Sequence, residues 1–506
     1  MDIGAGQGSD SPSSCLMAAW PRTRAWILGR FLAGVRRAGG RGVTAMAAVG
    51  CVGLLGAAAA PVSGGNGAQL LASRSDAAGA AQAAVSGARL WVRRYNGPGN
   101  GHDDAYAVAV SRTGDKVFVT GTSYGGSATG YDFATAAYDA ATGARLWVAR
   151  YNRTMGDYAR AVVVSPDGGT VFVTGSDTVA YNAATGAQRW VSIGGAVAVA
   201  VSPDDSTVYV AGSGVCDGGG AGFGTVAYDA ATGAQRWAAA PYCGPSGDHT
   251  YPSALVVSPD GSIVYVTGAS DLAHSDTGDY ATVAYNAVTG AQRWASLYAG
   301  PADDRDQANA VAVSPDGSKV YVTGLSVAPT SGALEADYAT ISYNAATGAQ
   351  LWLRRYHGGG TGYDIAAAIA VSPAGMVLVT GSSWGATSNQ DYATIAYSPV
   401  GTRLWVKRYN GPGNRADNAS AVTAPGNGRV YVTGQSWGGS ATRDDFATIA
   451  YSIFTGDKVW VKRYNGPSSS GDYAYSMAAR AGRLFVAGPS HGISSGRDYA
   501  IVAYTG

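Results

Sequence analysis

The 506-residue sequence has little charge of either sign. Only 14% of its residues are Asp, Glu, Lys or Arg, and the net charge is +1. A protein that binds the phosphates of DNA or RNA needs a field of basic side chains, so we expect no nucleic-acid partner. Apolar residues nevertheless make up 46% of the chain. This content argues against a disordered protein and allows a sizeable core.

Several sequence signatures of enzymes are also missing. The chain has no His-Glu-x-x-His zinc helix, no phosphate-binding loop and no Cys-x-x-Cys pair. Cysteine itself is scarce: of four residues, only Cys216 and Cys243 lie beyond residue 87. In an oxidising compartment the pair predicts a disulfide that joins two loops, and a pair of free thiols is the alternative.

The first 87 residues differ in composition from the rest. Six arginines between positions 22 and 41 precede an uncharged stretch with its apolar centre at 43–62. This layout is typical of a signal peptide, and we favour cleavage within 60–64 over a retained membrane anchor. We predict a signal peptide over 1–64, a flexible Ala/Gly/Ser-rich tether over 65–87, and a secreted or cell-surface protein. A membrane contact is expected only through an uncleaved N-terminal segment.

Beyond the tether the sequence is an internal repeat. Tryptophans recur every 43 to 58 residues and define eight units. They are Trp91, Trp147, Trp190, Trp237, Trp294, Trp352, Trp405 and Trp460. Each unit contains an Ala/Val strand (A), a Val-Tyr-Val-Thr-Gly strand (B), an Asp-Tyr-Ala-Thr strand (C) and the Trp strand (D). Apolar residues alternate along each, which indicates β-structure.

The order of these strands predicts how the chain closes. It opens with a strand D near residue 91 and ends with a strand C near residue 504. We therefore predict an all-β, eight-bladed β-propeller over 88–506, made of four-stranded antiparallel blades. The N-terminal strand pairs with the C-terminal blade, which removes an open sheet edge.

Two motifs carry a resemblance to known propellers. Residues 137–147, Ala-Tyr-Asp-Ala-Ala-Thr-Gly-Ala-Arg-Leu-Trp, resemble the tryptophan-docking motif of the pyrroloquinoline-quinone (PQQ) propellers. The unit as a whole is similar to the bacterial SBBP β-propeller repeat, most clearly in Tyr-Asn-Gly-Pro-Gly-Asn at 95–100 and 409–414. Together the resemblances cover 88–506. They imply that each tryptophan packs between neighbouring blades, where a small alanine permits close approach.

The likeness to PQQ propellers does not extend to their cofactor site. Quinoproteins of this type have an adjacent Cys-Cys pair and a Ca²⁺ set of Glu, Asn and Asp. This chain has no adjacent cysteines, and Glu335 is its only glutamate beyond the tether. We expect no cofactor, and PQQ in particular is not expected. The alternative function is an exported propeller enzyme, either a PQQ-like quinoprotein oxidoreductase or an enzyme that acts on polysaccharide.

Loop lengths indicate which face of the propeller binds ligands. The A–B and C–D turns are short and nearly constant, whereas the B–C and D–A loops vary. Variable loops are where binding residues collect, so we predict a non-catalytic propeller that recognises protein or polysaccharide there. Four candidate ligand-binding residues follow strand B in contiguous blades. These residues, the aromatic arc, are Tyr124, Trp384, Trp437 and His491. The alternative is that each ring covers its own loop.

An aspartate also recurs immediately before or at the start of strand A. The six positions are Asp103, Asp157, Asp306, Asp364, Asp417 and Asp472. A carboxylate at a loop end usually accepts local amide hydrogen bonds, and we favour this structural role. The alternative is a ring of carboxylates that binds Ca²⁺.

Overall fold

The computed structural model describes residues 86–245, 247, 249–270, 278–302, 304–329 and 334–506. These residues belong to one unit, Ala48–Gly506. The predicted signal peptide and the predicted tether up to residue 85 lie outside the described residues. In the part that is described, no helix has the length and apolar character to cross a membrane.

The described chain forms eight four-stranded antiparallel sheets, which confirms the predicted fold class. Seven blades run A, B, C, D in chain order. Blade one comprises Asp103–Val110, Lys116–Gly126, Gly130–Asp139 and Arg145–Tyr151, and blade two comprises Ala159–Val164, Thr170–Gly175, Asp177–Asn182 and Gln188–Ile193. Blade three comprises Ala198–Val201, Thr207–Val215, Ala221–Asp229 and Gln235–Ala238, and blade four comprises Tyr251–Val257, Ile263–Ser270, Asp279–Asn286 and Gln292–Tyr298. Blades five to seven comprise Asp306–Val313, Lys319–Pro329, Leu334–Asn344 and Gln350–Tyr356; Ile365–Val371, Val377–Trp384, Gln390–Tyr397 and Arg403–Tyr409; Asp417–Thr423, Arg429–Trp437, Asp444–Ser452 and Lys458–Tyr464.

Blade eight is shared between the two ends of the chain. Its strands A, B and C are Ser476–Arg480, Arg483–His491 and Arg497–Thr505. Its strand D is the N-terminal Arg89–Tyr95, which pairs antiparallel with strand C. The predicted closure by the N-terminal strand is therefore present.

The apolar core lies between the blades. Each of eight clusters of buried side chains combines residues of two neighbouring blades, one cluster for every junction around the ring. Strands A of neighbouring blades contact one another all the way round, so strand A is the innermost strand. The alternating Ala/Val sequence of this strand suits the crowded centre, because small side chains let the backbones approach.

Each tryptophan docks on the C–D turn of the next blade. The Trp91 indole Nε1 donates to the Ala140 carbonyl at 3.2 Å, and its ring lies against Gly143. The same bond recurs for six further tryptophans, at 2.9–3.2 Å. At the closing junction, Trp460 donates to the Ser86 hydroxyl, and its ring covers Gly87. The docking bonds thus link the blades in a complete circle.

Strand A carries a β-bulge near its start in six blades. In blade one the pairing with strand B shifts between Ala105 and Ala107, so that Tyr106 is the extra residue. The bulged residues of the other five blades are Arg160, Ser253, Asn309, Ala367 and Ser420. A bulge redirects a side chain, and here it does so at the inner end of the loop face.

Candidate binding face

The B–C and D–A loops lie on the same face of the ring. A bridge between Gly359 of a D–A loop and Gly385 of a B–C loop joins the two kinds of loop directly, and Tyr242 of another D–A loop bridges to Phe223 near the start of strand C. Their lengths differ from blade to blade. In blade two a single residue, Ser176, separates strands B and C, whereas residues 271–278 separate them in blade four. We call this surface the loop face.

The recurring strand-A aspartates fix the D–A loops on the loop face. In blade seven, Asp417 accepts hydrogen bonds from the Gly411 amide (2.6 Å) and the Trp437 amide (3.0 Å). Five of the six carboxylates join the D–A loop to the end of strand B in this way, whereas that of Asp157 accepts from two D–A amides. All six residues are at most 1% exposed.

Burial changes the acidity of these carboxyl groups. It raises the pKa of Asp417 to about 6, against the partial opposition of its amide bonds. Burial also raises the pKa of four equivalent residues, Asp103, Asp306, Asp364 and Asp472. Buried carboxylates engaged by main-chain amides serve loop geometry at these positions, while the calcium ring stays a prediction.

A second network was not anticipated from the sequence. In blade seven, the Arg463 guanidinium bonds Asp445 of strand C (2.8 Å) and Ser436 of strand B (2.6 Å). It also reaches the Tyr409 hydroxyl of the preceding blade at 3.1 Å. Equivalent arginines are Arg94, Arg150, Arg355 and Arg408. The feature of the sequence that could have predicted this network is the Arg-Tyr pair that ends strand D in these blades.

The serines of this network have the spacing of a catalytic elbow but not its geometry. Ser123, Ser383, Ser436 and Ser490 each lie in a Gly-x-Ser-x-Gly sequence. A nucleophile elbow exposes its serine on a turn from strand to helix. Here each serine is fully buried at a β-ladder position, and an arginine bonds its hydroxyl. These serines are structural.

The aromatic arc lies half-buried on the loop face. Carbons of the Trp384 ring lie 2.6–2.8 Å from the position that a Cβ on Gly362 would occupy, and Tyr124 covers Gly99 and Gly101 in the same manner. The Trp437 ring packs on Gly413, and the Arg415 guanidinium lies over the ring, 5.0 Å from its centroid. Each of these three rings therefore covers the D–A loop that leads into its own blade while keeping an exposed edge.

His491 completes the arc in blade eight. Its main-chain amide donates to Asp472 and its carbonyl accepts from the Ser468 hydroxyl. Burial, followed by the nearby Arg497 charge, lowers the pKa of the imidazole. A neutral ring is consistent with a packing or stacking role.

Sequence reasoning missed a larger group of tyrosines at the inner end of blades eight, one and two. The rings of Tyr106 and Tyr475 stack with 6.0 Å between centroids and 5° between planes. Tyr473 stacks on Tyr475 at 6.4 Å, and Tyr131 stacks on Tyr158 at 6.0 Å. We call these five residues the tyrosine cluster. Tyr158 is 43% exposed, and the other four are partly exposed.

A charged pair lies beside the tyrosine cluster. The Arg497 guanidinium bonds Asp104 Oδ2 at 2.9 Å, whereas buried Asp104 Oδ1 accepts no hydrogen bond from any described residue. Burial raises the pKa of Asp104. Burial and the Asp104 charge raise the pKa of Tyr106 to about 12. One feature of the sequence could have indicated the tyrosine cluster: the bulge position holds Tyr106 in blade one but Ser, Asn or Ala in blades four to seven.

Blade three is tied by a disulfide instead of the arginine network. Cys216 and Cys243 are bonded, with 5.9 Å between their Cα atoms, and join its B–C loop to the following D–A loop. The strand register places Gly214 and Gly222 where other blades have the network serine and aspartate. The covalent link thus ties the two loops in a blade where glycines replace the network serine and aspartate.

The residues do not fit the quinone site that the resemblance to quinoproteins implies. The single glutamate beyond residue 87, Glu335, lies 3.9 Å from His357 Nε2. The strand-A carboxylates are buried and engaged by amides. The described residues therefore lack the ligand set with which quinoproteins of this type hold their cofactor.

Fold and loop face together define a closed eight-bladed β-propeller of the PQQ type, with tyrosines grouped at the inner end of one face. The family model described as outer membrane protein assembly factor BamB matches residues 134–237 and 222–495. The chain belongs to this family. The expected likeness to PQQ-type propellers is confirmed at this level, and the closer likeness to SBBP repeats stays a prediction.

Three solved structures are similar to this chain at low sequence identity. Sqt1 from Chaetomium thermophilum, bound to the N-terminus of ribosomal protein L10, is 15% identical with a TM-score of 0.55, covering 80% of this chain and 98% of that one. Quinohemoprotein alcohol dehydrogenase from Comamonas testosteroni is 14% identical with a TM-score of 0.53, covering 83% and 76%. BamB from Moraxella catarrhalis is 15% identical with a TM-score of 0.45, covering 83% and 97%. No curated protein matches the sequence significantly.

Proposed function

We propose that this protein is a non-catalytic binding or scaffold propeller that recognises a protein partner through its loop face. The tyrosine cluster is the observation that carries the proposal. Tyrosine and arginine are enriched at the energetic centres of protein interfaces, and a tyrosine ring offers a large contact area at low conformational cost. Here five tyrosines and Arg497 share one part of the loop face.

Family and fold relatives support a protein as the partner. The family is described as an assembly factor, and the similar propeller Sqt1 was solved with a segment of another protein bound. We further propose an extracytoplasmic location. The signal-peptide layout of the N-terminal sequence and the disulfide of blade three support it, since disulfides persist in oxidising compartments.

Selection of peptides on the purified full-length chain tests the proposal. Peptides from a random displayed library are selected and their Kd values measured against Y106A/Y475A. Removal of the central stacked pair is expected to weaken binding at least tenfold. The matched control is Phe454→Ala, which removes a 74% exposed aromatic from a C–D turn on the other face. Selected peptides that bind the double variant and the wild type equally would remove the tyrosine cluster from the binding surface.

A polysaccharide is the second candidate ligand. Stacked tyrosines beside a carboxylate and a guanidinium also suit a sugar ring, which presents a flat face and hydroxyl groups. A glycan array probed with the wild type, with Y106A/Y475A and with W384A/W437A separates the candidates. If the chain binds glycans but no peptides, the proposed partner is a polysaccharide and not a protein. If only W384A/W437A loses glycan binding, the binding site is the aromatic arc and not the tyrosine cluster.

A further inference from the structure

We propose that the junction of blades five and six binds one divalent transition-metal ion of the Zn²⁺ class through Asp337, His357 and Asp364. This site is independent of the proposed partner binding. Asp337 lies in strand C of blade five, and His357 follows its strand D. Asp364 immediately precedes strand A of blade six. The three residues are distant in sequence and converge only because the blades pack side by side.

The two distances from the histidine nitrogen are those of a coordination shell. His357 Nδ1 lies 3.3 Å from Asp337 Oδ1 and 3.5 Å from Asp364 Oδ2. All three atoms lie within 4.8 Å of one another. Zinc–ligand bonds of about 2.0–2.2 Å in a tetrahedral site put the ligand atoms roughly 3.3–3.6 Å apart. A metal ion fits between the imidazole nitrogen and the carboxylate oxygens with little movement.

Both carboxylates keep lone pairs for a metal. Asp364 Oδ2 accepts the Gly358 amide at 2.6 Å, and a carboxylate oxygen has a second lone pair. Arg355 bonds Asp337 through Oδ2, which leaves Oδ1 facing His357. The existing hydrogen bonds therefore orient the two carboxylates rather than consume them.

The local charge also favours a divalent cation. Glu335, Asp337 and Asp364 bring three carboxylates to this junction, and the Arg355 guanidinium balances one of them. With a neutral imidazole, two negative charges remain. Glu335 and Asp364 are buried, and buried charges are costly unless they are paired or coordinate a metal. A divalent ion balances both.

Glu335 lies where a carboxylate could accept a hydrogen bond from the second ring nitrogen of the histidine. Its Oε2 lies 3.9 Å from His357 Nε2, on the side of the ring away from the two aspartates. Metal-bound histidines generally donate their other ring nitrogen to a carboxylate, which fixes the tautomer and the ring orientation. A small rotation of Glu335 completes such a bond.

Departure from the repeat distinguishes this junction from the others. The residue after the strand-D tyrosine is asparagine in four blades, Asn96, Asn152, Asn410 and Asn465, but His357 in blade five. The aspartate pair itself recurs, for instance as Asp391 and Asp417. Loop capping thus proceeds without histidine elsewhere, and His357 and Glu335 are the additions that turn this capping pair into a ligand set.

Zinc titration of the full-length chain tests the inference. After treatment with EDTA and buffer exchange, binding of ZnCl₂ is measured by calorimetry and by metal analysis after dialysis. We expect one Zn²⁺ per chain, at least 100-fold weaker binding in His357→Asn and about tenfold weaker binding in Glu335→Gln. His357→Asn installs the residue of the sister blades, so circular dichroism is expected to show an intact fold. His102→Asn, which changes an exposed histidine in the loop before strand A of blade one, is the matched control and should bind as the wild type does.

Two results would overturn the site. One is the absence of stoichiometric Zn²⁺ binding by the wild type, which would leave His357 as a polar bridge between the two aspartates. The other is binding that persists in His357→Asn. A parallel CaCl₂ titration separates the ion classes, because Ca²⁺ binding unaffected by His357→Asn would indicate an all-oxygen site instead. Neither outcome depends on the tyrosine cluster or on a partner.

Discussion

Single glycines determine how closely two blades can dock. Gly143 has a φ of +69°, and a Cβ added to it would lie 2.6 Å from the Trp91 ring. Gly168, in the A–B turn of blade two, has a φ of +76° and nothing within 4 Å of such a Cβ. The two glycines share the backbone requirement, but only Gly143 is also in contact with a docking tryptophan.

Gly143→Ala should therefore destabilise the propeller more than Gly168→Ala. Both variants place an L-residue in the left-handed region, at a cost of about 1–2 kcal/mol. Gly143→Ala must also displace the indole and weaken its bond to Ala140, for which we expect at least about 2 kcal/mol more. Urea denaturation followed by tryptophan fluorescence measures the difference. Equal midpoints for the two variants would show that the tryptophan contact contributes little.

The buried aspartates predict an unusual dependence of stability on pH. The folded-state pKa of Asp417 is about 6, above the ordinary value of 3.8. The folded chain therefore holds this proton more tightly than the unfolded chain. Its stabilising contribution is fully present below about pH 4 and is lost as the pH rises to about 6, a change of about 3 kcal/mol.

Asp417→Asn should flatten that dependence. The amide cannot titrate, so the variant is expected to lose less stability than the wild type between pH 4 and pH 6.5. Its overall stability should fall, because one of the two main-chain amides loses its acceptor. Thermal unfolding across this range provides the comparison. Curves of identical slope for variant and wild type would contradict a raised pKa at Asp417.

At the level of the strand and the blade, the sequence allowed most of the architecture to be predicted. Eight recurring tryptophans and the alternation of apolar residues predicted the blades and the shared blade eight, because docking and pleating impose fixed periods. The tyrosine cluster escaped prediction because a one-residue bulge redirects Tyr106. The cluster of Asp337, His357 and Asp364 escaped because one strand residue and two loop residues from separate parts of the chain form it, and no local spacing encodes that convergence.

Blade three should depend on its disulfide more than any other blade could. The bond closes a segment with a sequence separation of 27, and chain-entropy reasoning assigns about 3.5 kcal/mol to a loop of this size. Reduction, or the double variant C216S/C243S, should speed amide hydrogen exchange in loops 216–220 and 239–250. Blades six and seven, tied by Arg408 and Arg463, are the internal control. Unchanged exchange in blade three would mean that its loops are held by other contacts.

The whole ring depends on a strand contributed from the other end of the chain. Arg89–Tyr95 pairs with Arg497–Thr505, and Ser86 accepts the Trp460 indole bond. Deletion of residues 1–95 should leave strand C of blade eight as an open edge and cause aggregation and a lower melting temperature. Deletion of residues 1–85, which retains the strand and Ser86, is the matched control. A monomeric 96–506 fragment with the wild-type melting temperature would show that closure is dispensable.

The proposed function concerns one face of the whole molecule. The loop face carries the variable loops, the aromatic arc and the tyrosine cluster, whereas the opposite face presents short, repeated turns. If the propeller is a binding protein, its partner should use the first surface and leave the second exposed.

Hydrogen exchange of the full-length chain with its tightest selected peptide tests this claim most directly. We expect protection in the loops and strand ends at 96–106, 127–131, 152–160 and 465–475, which surround the tyrosine cluster. The turns at 111–115, 140–144 and 453–457 should exchange as in the free protein. Protection confined to those turns, or protection of neither surface despite saturating peptide, would contradict recognition through the loop face.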